Sequence, residues 1–468
     1  MANSLRKGIL SVLIANIINL GFNLLANFLL PKYLSVDTYA QLKTFQLYAM
    51  YAGLLHLGYV DGLYLKYGGK CIDEINKNEL EDNLSTLRIF QAIITAGAIA
   101  FGIVLKNPIL TAFGLSILPA NMMSCFKNMY QAVGEFSLYS RIINGTTISY
   151  FILNMSFIFL AHSDNPYLYI SIYIVVDVLL WVILEYKLHK ENSFSIRLKF
   201  SKERLVDNIK TGILLTFGNL SSIFLTGMDR WFIKFLMNNI AFAQYSFAVS
   251  MENFMNVAIS PLSVTLYNYF CKEKNENKIR QVRNSVQIFA AFIISCAFPA
   301  KFILEHYLSK YLEATSVMFF LFGAQLFYIV IKCIYVNLYK ADLRQKQYFI
   351  RIIVVIILGM LLNVCFYLLL HTKEAFAIGT LLSAVIWWTL CAYDNKKIRY
   401  SFNEIIYMVL TEISYLVCGN FMGSITGLLC YVAVITMLSF ILLKKDFLFF
   451  IKNAKAMIIS KTNTTGGN

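Results

Sequence analysis

Charge is what this chain of 468 residues is short of: Asp, Glu, Lys and Arg make up only 14% of it, where soluble domains carry about a quarter. Hydrophobic residues make up 58% and the mean hydropathy is +0.62. Apolar runs of about 20 residues recur from end to end, and at ~1.5 Å per residue each covers a ~30 Å hydrocarbon core. A set of soluble domains is thereby excluded. Histidine is also scarce, and His56, His162, His189, His306 and His371 are scattered without pairing. The nine cysteines stand singly, with no C-x-x-C pair, so they read as small buried hydrophobes rather than a zinc or disulfide framework. No G-x-x-x-x-G-K, H-E-x-x-H, G-x-S-x-G or EF-hand pattern occurs, which leaves no sign of ATP use or metal hydrolysis. The six prolines include Pro119, Pro261 and Pro299, which fall within or beside apolar runs and should kink helices there.

What is present is an all-α polytopic membrane protein of about 14 transmembrane helices. The spans are expected near 8–31, 42–65, 86–105, 109–131, 142–161, 167–186, 211–237, 241–268, 285–305, 314–338, 348–370, 374–393, 403–422 and 425–443. The start carries basic residues like a signal peptide, but its apolar part is too long, holds four asparagines and lacks a small-residue cleavage site, so it is expected to remain as the first span. Lys and Arg gather on the cytoplasmic side of membrane proteins. With both termini inside, most of the 41 Lys and Arg fall in cytoplasmic segments. The largest cluster, Lys187, Lys190, Arg197, Lys199, Lys202, Arg204 and Lys210, reads as a linker between two lobes. The net charge of +15 is thus a topology signal, and no soluble basic face offers itself to nucleic acid. The outer loops are short, the longest running from about Glu305 to Glu313, too small for a catalytic domain. The tail from Lys444 is basic and amphipathic and should lie on the membrane surface.

Polar residues inside the spans have a helical order. Asn219, Ser222, Thr226 and Asp229 follow at steps of three, four and three, which lines one face of a helix. At an offset of 203 residues Asn16, Asn19 and Asn23 fall opposite the first three, with Asn27 one turn further, and Tyr39-Ala40-Gln41 falls opposite Phe242-Ala243-Gln244. Two related halves facing each other across a polar lumen are expected. The ionisable residues that stand out within spans are Asp61, Asp177, Asp229, Arg230, Glu252, Lys332 and Glu412, among others, each costing about 2.5–3.5 kcal/mol near the bilayer centre unless water or a partner is present. Arg230 and Lys234 share a face, offering two cations to an anionic group or anchoring at the outer interface beside Trp231, while Asp229 points about 100° away. Lys332 is a ligand for an anion or a snorkelling residue. Asp61, Asp177, Asp229 and Glu252 are candidates for ion coupling or gating; Asp177 also fits simple interhelical hydrogen bonding, Glu412 lies outside the twofold repeat, and Asp61 also fits an interfacial position.

Three features together carry a family resemblance. The opening KGILSVLIANIINLGFNLLANFLLPKYLSVDTYAQLKTFQLYAMYAGLLHLGYVDGLYLKYG, the stretch GMDRWFIKFLMNNIAFAQYSFAVSMENFMNVAISPL and the fourteen-span layout resemble the Wzx-type polysaccharide flippases, relatives of the multidrug-exporting MATE proteins. The resemblance implies two six-helix lobes in a V plus two C-terminal helices, here 1–195, 196–393 and 394–468. It implies a bacterial cytoplasmic-membrane protein that moves undecaprenyl-diphosphate-linked oligosaccharide, for O-antigen or capsule, to the outer leaflet by alternating access, alongside polysaccharide-assembly proteins. Arg230, Lys234 and Lys332 would meet the diphosphate, and Asn16, Asn19, Asn23 and Asn219 the sugar hydroxyls. The prenyl tail would stay in membrane lipid. No cofactor is implied beyond coupling to H+ or Na+. Two rivals differ in class: a MATE-like drug exporter would favour an acidic lumen, and an integral-membrane glycan polymerase or acyltransferase would want a large outer loop or paired histidines.

Overall fold

The computed structural model describes residues 2–192 and 198–452. The side chains of Asn219, Ser222, Thr226 and Pro261 lie outside the description, as do Arg197 and the tail from 453 onward. All regular structure among the described residues is helical. The chain divides into two compact units, Met1–Met228 and Asp229–Asn468.

The first unit holds α1 (Ala2–Tyr33), α2 (Val36–Ala49), α3 (Tyr59–Tyr67), α4 (Lys77–Val104), α5 (Pro108–Ala132), α6 (Phe136–Phe159), α7 (Pro166–Asn192) and most of α8 (Lys202–Leu236). Its core joins Tyr59, Val60 and Leu63 of α3 to Leu80, Leu84 and Leu87 of α4 and to Met122, Phe126 and Tyr130 of α5. The linker before α8 is pinned to the start of α4. Lys199 Nζ lies 3.2 Å and Arg204 Nε 3.5 Å from the Asp82 carboxylate, and the Lys199 amide donates to Ser85 Oγ.

The second unit holds the end of α8, α9 (Asn239–Glu252), α10 (Met255–Lys272), α11 (Glu276–Ile293), α12 (Ala297–Tyr307), α13 (Thr315–Val330), α14 (Val336–Ala341), α15 (Gln345–Leu370), α16 (Glu374–Asp394), α17 (Phe402–Phe421) and α18 (Ser424–Leu442). Its axis is α13, whose side chains are buried almost without interruption from Val317 to Val330. Between α11 and α12 a 3-10 turn at Ile294–Cys296 precedes Pro299, where the ring removes a donor and clashes with the preceding turn. Pro119, by contrast, sits inside a continuous α5. After α18 the chain is helical again over 444–452, where Asp446 accepts from Asn284 Nδ2 at 2.8 Å and Phe447 stacks on Phe292.

Eleven helices among the described residues are long and apolar enough to cross a membrane. The three remaining expected spans share a repeat. The span expected at 211–237 belongs to the 35-residue α8. Those expected at 42–65 and 241–268 are each broken. In the first unit α2 gives way to a 3-10 turn at Ala52–His56, and Leu57 and Gly58 then turn left-handed, at φ 51° and 91°, before α3 begins. In the second unit α9 stops at Glu252 and α10 starts at Met255.

The offset of 203 residues seen in the sequence holds in the element boundaries. It carries the end of α1 onto the end of α8, and both bounds of α2 onto those of α9. Both short helices open on a side-chain cap, Ser35 accepting from the Thr38 amide and Asn238 from the Ala241 amide. The chain therefore repeats one local design, a long helix followed by a capped, 14-residue helix that ends at a break.

Candidate functional site

In the second unit the break after α9 places charge against α13. Glu252 ends α9 and accepts a hydrogen bond from Gln325 Nε2 of α13. One turn further, Asn256 Oδ1 accepts from Lys332 Nζ at 3.2 Å. Glu252 and Asn256 on one side, and Gln325 and Lys332 on the other, form a two-rung polar ladder through apolar helices. Lys332 lies in a π turn at Ile331–Tyr335, which joins α13 to α14. Its backbone carbonyl is taken by Ser263 Oγ at 3.0 Å, while Asn337 Nδ2 donates to the Cys333 carbonyl at 2.9 Å. Side chains thus satisfy the carbonyls that a widened turn leaves loose, a geometry found frequently at functional sites.

Asp229 and Arg230 join this ladder from α8. Asp229 is buried; Tyr245 Oη donates to its Oδ2 at 2.6 Å and the Arg230 amide to its Oδ1 at 2.8 Å. Glu252 lies within electrostatic reach of Asp229, Arg230 and Lys332 together. Four of the residues singled out in the sequence therefore share one electrostatic neighbourhood around Glu252: two carboxylates and two cations, the cations half-buried rather than enclosed. Lys234 stands apart, its Nζ 3.3 Å from Asn239 Oδ1 and 5.1 Å from the centre of the Phe242 ring. Trp231 stacks on Phe235, which is exposed, at the same end of α8.

The first unit gathers a different set. On α1, Asn16 and Asn23 are exposed and Asn19 and Asn27 half-buried, with Asn23 Nδ2 donating to the Asn19 carbonyl at 2.9 Å and Lys43 Nζ to Asn27 Oδ1 at 3.3 Å. The side chain of Asn219 lies outside the described residues. Asp61 is buried in the first turn of α3, where helix amides favour a carboxylate, and it accepts from Thr216 Oγ1 of α8. It is therefore enclosed by protein rather than left to solvent. Asp177 of α7 accepts from Tyr150 Oη of α6 at 2.8 Å and feels the charge of Lys127 of α5. Beside it the rings of Tyr150 and Tyr173 lie 4.6 Å apart and Gln46 Nε2 donates to Tyr173 Oη at 2.6 Å.

Lys127 is the residue that sequence reasoning passes over. A single lysine in the last turns of a span looks like a boundary residue, and only the fold sets it opposite Asp177. No group of three or more His, Cys, Asp and Glu among the described residues is arranged to hold a metal ion.

No family model and no curated protein sequence matches the chain. Solved structures do. The lipid II flippase MurJ in an inward closed conformation aligns over 93% of this chain and 98% of its own, at a TM-score of 0.62 and 13% identity. A multidrug resistance MATE family transporter of the MOP superfamily, facing inward, aligns over 83% and 95%, at 0.49 and 14%. A MOP superfamily transporter from Pyrococcus furiosus aligns over 85% and 97%, at 0.46 and 14%. The alignment with the lipid II flippase runs nearly end to end on both chains, so this sequence has that all-α, multi-pass membrane fold.

Proposed function

We propose that the chain is a flippase for undecaprenyl-diphosphate-linked oligosaccharide, carrying it from the cytoplasmic to the outer leaflet of a bacterial inner membrane by alternating access. The observation that carries this reading is the Lys332–Asn256 contact beside the Glu252–Gln325 contact inside the apolar second unit, with Asp229 and Arg230 within electrostatic reach of Glu252. A diphosphate that leaves water needs charge-assisted donors, and half-buried cations already held near fixed carboxylates supply them at small reorganisation. The exposed asparagines of α1 match sugar hydroxyls, which both donate and accept. The fold is that of a structure described as a lipid II flippase, and lipid-linked substrates come to this chain by that analogy. Asp229, Glu252, Asp61 and Asp177 are the groups through which H+ or Na+ would bias two conformations.

The two carboxylates also favour a second reading, export of organic cations, and one pair of strains separates the two. Replacing Arg230 and Lys332 together by Ala should lower surface glycan at least about tenfold, since each charged hydrogen bond lost is worth about 1.5–3 kcal/mol. Complete lipid-linked units should accumulate inside, with protein abundance unchanged. Unchanged glycan together with new sensitivity to cationic drugs on deletion of the gene would transfer the protein to the export reading.

A further inference from the structure

The second unit also holds a buried acid inside a span that the charged ladder does not use. Glu412 lies midway along α17 with 8% of its surface exposed, and among the described residues neither carboxyl oxygen has a hydrogen-bond partner. Its carboxyl rests against Gly323 of α13, where a β-carbon would collide with it. Tyr415, one turn on, is buried with its own hydroxyl unpartnered, and Tyr431 of α18 completes the surroundings, its hydroxyl committed to the Ala291 carbonyl at 2.7 Å.

The charges on the neighbouring elements are engaged elsewhere. Arg280 and Arg283 of α11 pair with Glu404, two turns before Glu412 on α17, at 2.9 and 2.8 Å. Lys301 of α12 donates to the carbonyls of Gly419 and Met422 at the far end of α17. From the turn before α12, Cys296 lies toward Tyr415, and Cys418 lies further along α17 toward α18. On α13 the ionisable side chain is Tyr328, which stacks edge-on against Trp387. The carboxyl of Glu412 therefore faces a glycine and aromatic rings, with no cation against it among the described residues.

An ionised carboxylate in such a place is the costliest of the options open to it. A sodium ion would need several oxygen ligands, whereas a proton needs one. We propose that Glu412 is a proton-binding site of the second unit, held as the neutral acid so that α17 can seat against Gly323. The site lies across α13 from the ladder: Gly323 meets Glu412, and Gln325, two residues and about 200° round the helix, bonds Glu252. Loss of the proton would place a charge at the α13–α17 contact and drive those helices apart. The inference does not depend on the identity of the transported molecule.

Infrared difference spectroscopy on the full chain in lipid nanodiscs tests it. At neutral pH the wild type should show a protonated-carboxyl C=O band that disappears in Glu412→Gln and does not move when sodium is added at fixed pH. Identical bands in both proteins, or a band that follows sodium, would overturn the assignment. A test on the unaltered chain covers the case in which the variant does not fold. A hydrophobic carbodiimide reacts with protonated carboxyls in apolar surroundings, so mass spectrometry should find the adduct on Glu412 at neutral pH and less of it as the pH rises. An unlabelled Glu412, or labelling indifferent to pH, counts against the proposal.

Discussion

At the scale of single residues the decisive fact about Asp229 is the number of donors aimed at it. Tyr245 Oη and the Arg230 amide each take one oxygen, in a place otherwise closed to water. Tyr245→Phe keeps the ring and removes one donor, and a buried acceptor left short costs about 1–3 kcal/mol. The variant should therefore unfold at a lower temperature in detergent than the wild type, and Asp229→Asn should abolish most of the difference in a double-mutant cycle. An unshifted midpoint in Tyr245→Phe would mean that Asp229 is hydrated. The acids and cations of this site were legible in the sequence because a charge within an apolar run is conspicuous and the 3.6-residue turn says which neighbours share a face. Their neutral partners were not. Tyr245 and Tyr150 look like ordinary members of apolar helices, and Lys127 looks like the edge of a span; what selects them is tertiary placement, which has no sequence period.

At the scale of elements the polar stripe and the tripeptide match disclosed a real repeat, since one offset superposes the ends of α1 and α8 and both ends of α2 and α9. The breaks that follow α2 and α9 were not legible. A single glycine such as Gly58 in a long apolar run is tolerated in membrane helices as often as it ends one. The same region shows why small residues were needed. A β-carbon on Gly62 of α3 would meet the Asn208 backbone of α8, and one on Gly212 would meet the backbone of Gly58 and Gly62. Backbone cannot move aside as a flexible side chain can, so Gly62→Ala and Gly212→Ala should each destabilise the first unit by about 1–3 kcal/mol or more. The thermal midpoint and the yield of folded protein should both fall. Gly218, further along α8, meets nothing within 4 Å, and Gly218→Ala should be neutral or slightly stabilising. Equal behaviour of all three variants would remove the case for a close α3–α8 crossing.

For the whole molecule the surface itself says where it lives. Along α15, Ile350, Ile353, Ile357, Leu361, Val364 and Leu368 are exposed at steps of three and four, a continuous aliphatic stripe that water would penalise and lipid would not. The excess of Lys and Arg in the segments between spans then gives the orientation: the loop from Lys66 to Glu81 and the stretch from Lys272 should face the cytoplasm, and the turn at Ser309–Ala314 the outside. Two native thiols and one introduced thiol test this. Cys71 is exposed on the first segment, Cys271 is exposed at the end of α10 just before the second, and Leu312, 46% exposed, marks the third. A membrane-impermeant maleimide applied to intact cells should label Leu312→Cys and leave Cys71 and Cys271 untouched, and in inside-out vesicles the pattern should reverse. The opposite pattern would invert the chain in the membrane. Labelling of all three sites from one side would instead require an odd number of crossings between Cys271 and Leu312 to be abandoned, and the continuous passage from α11 through α12 would no longer stand as a membrane span.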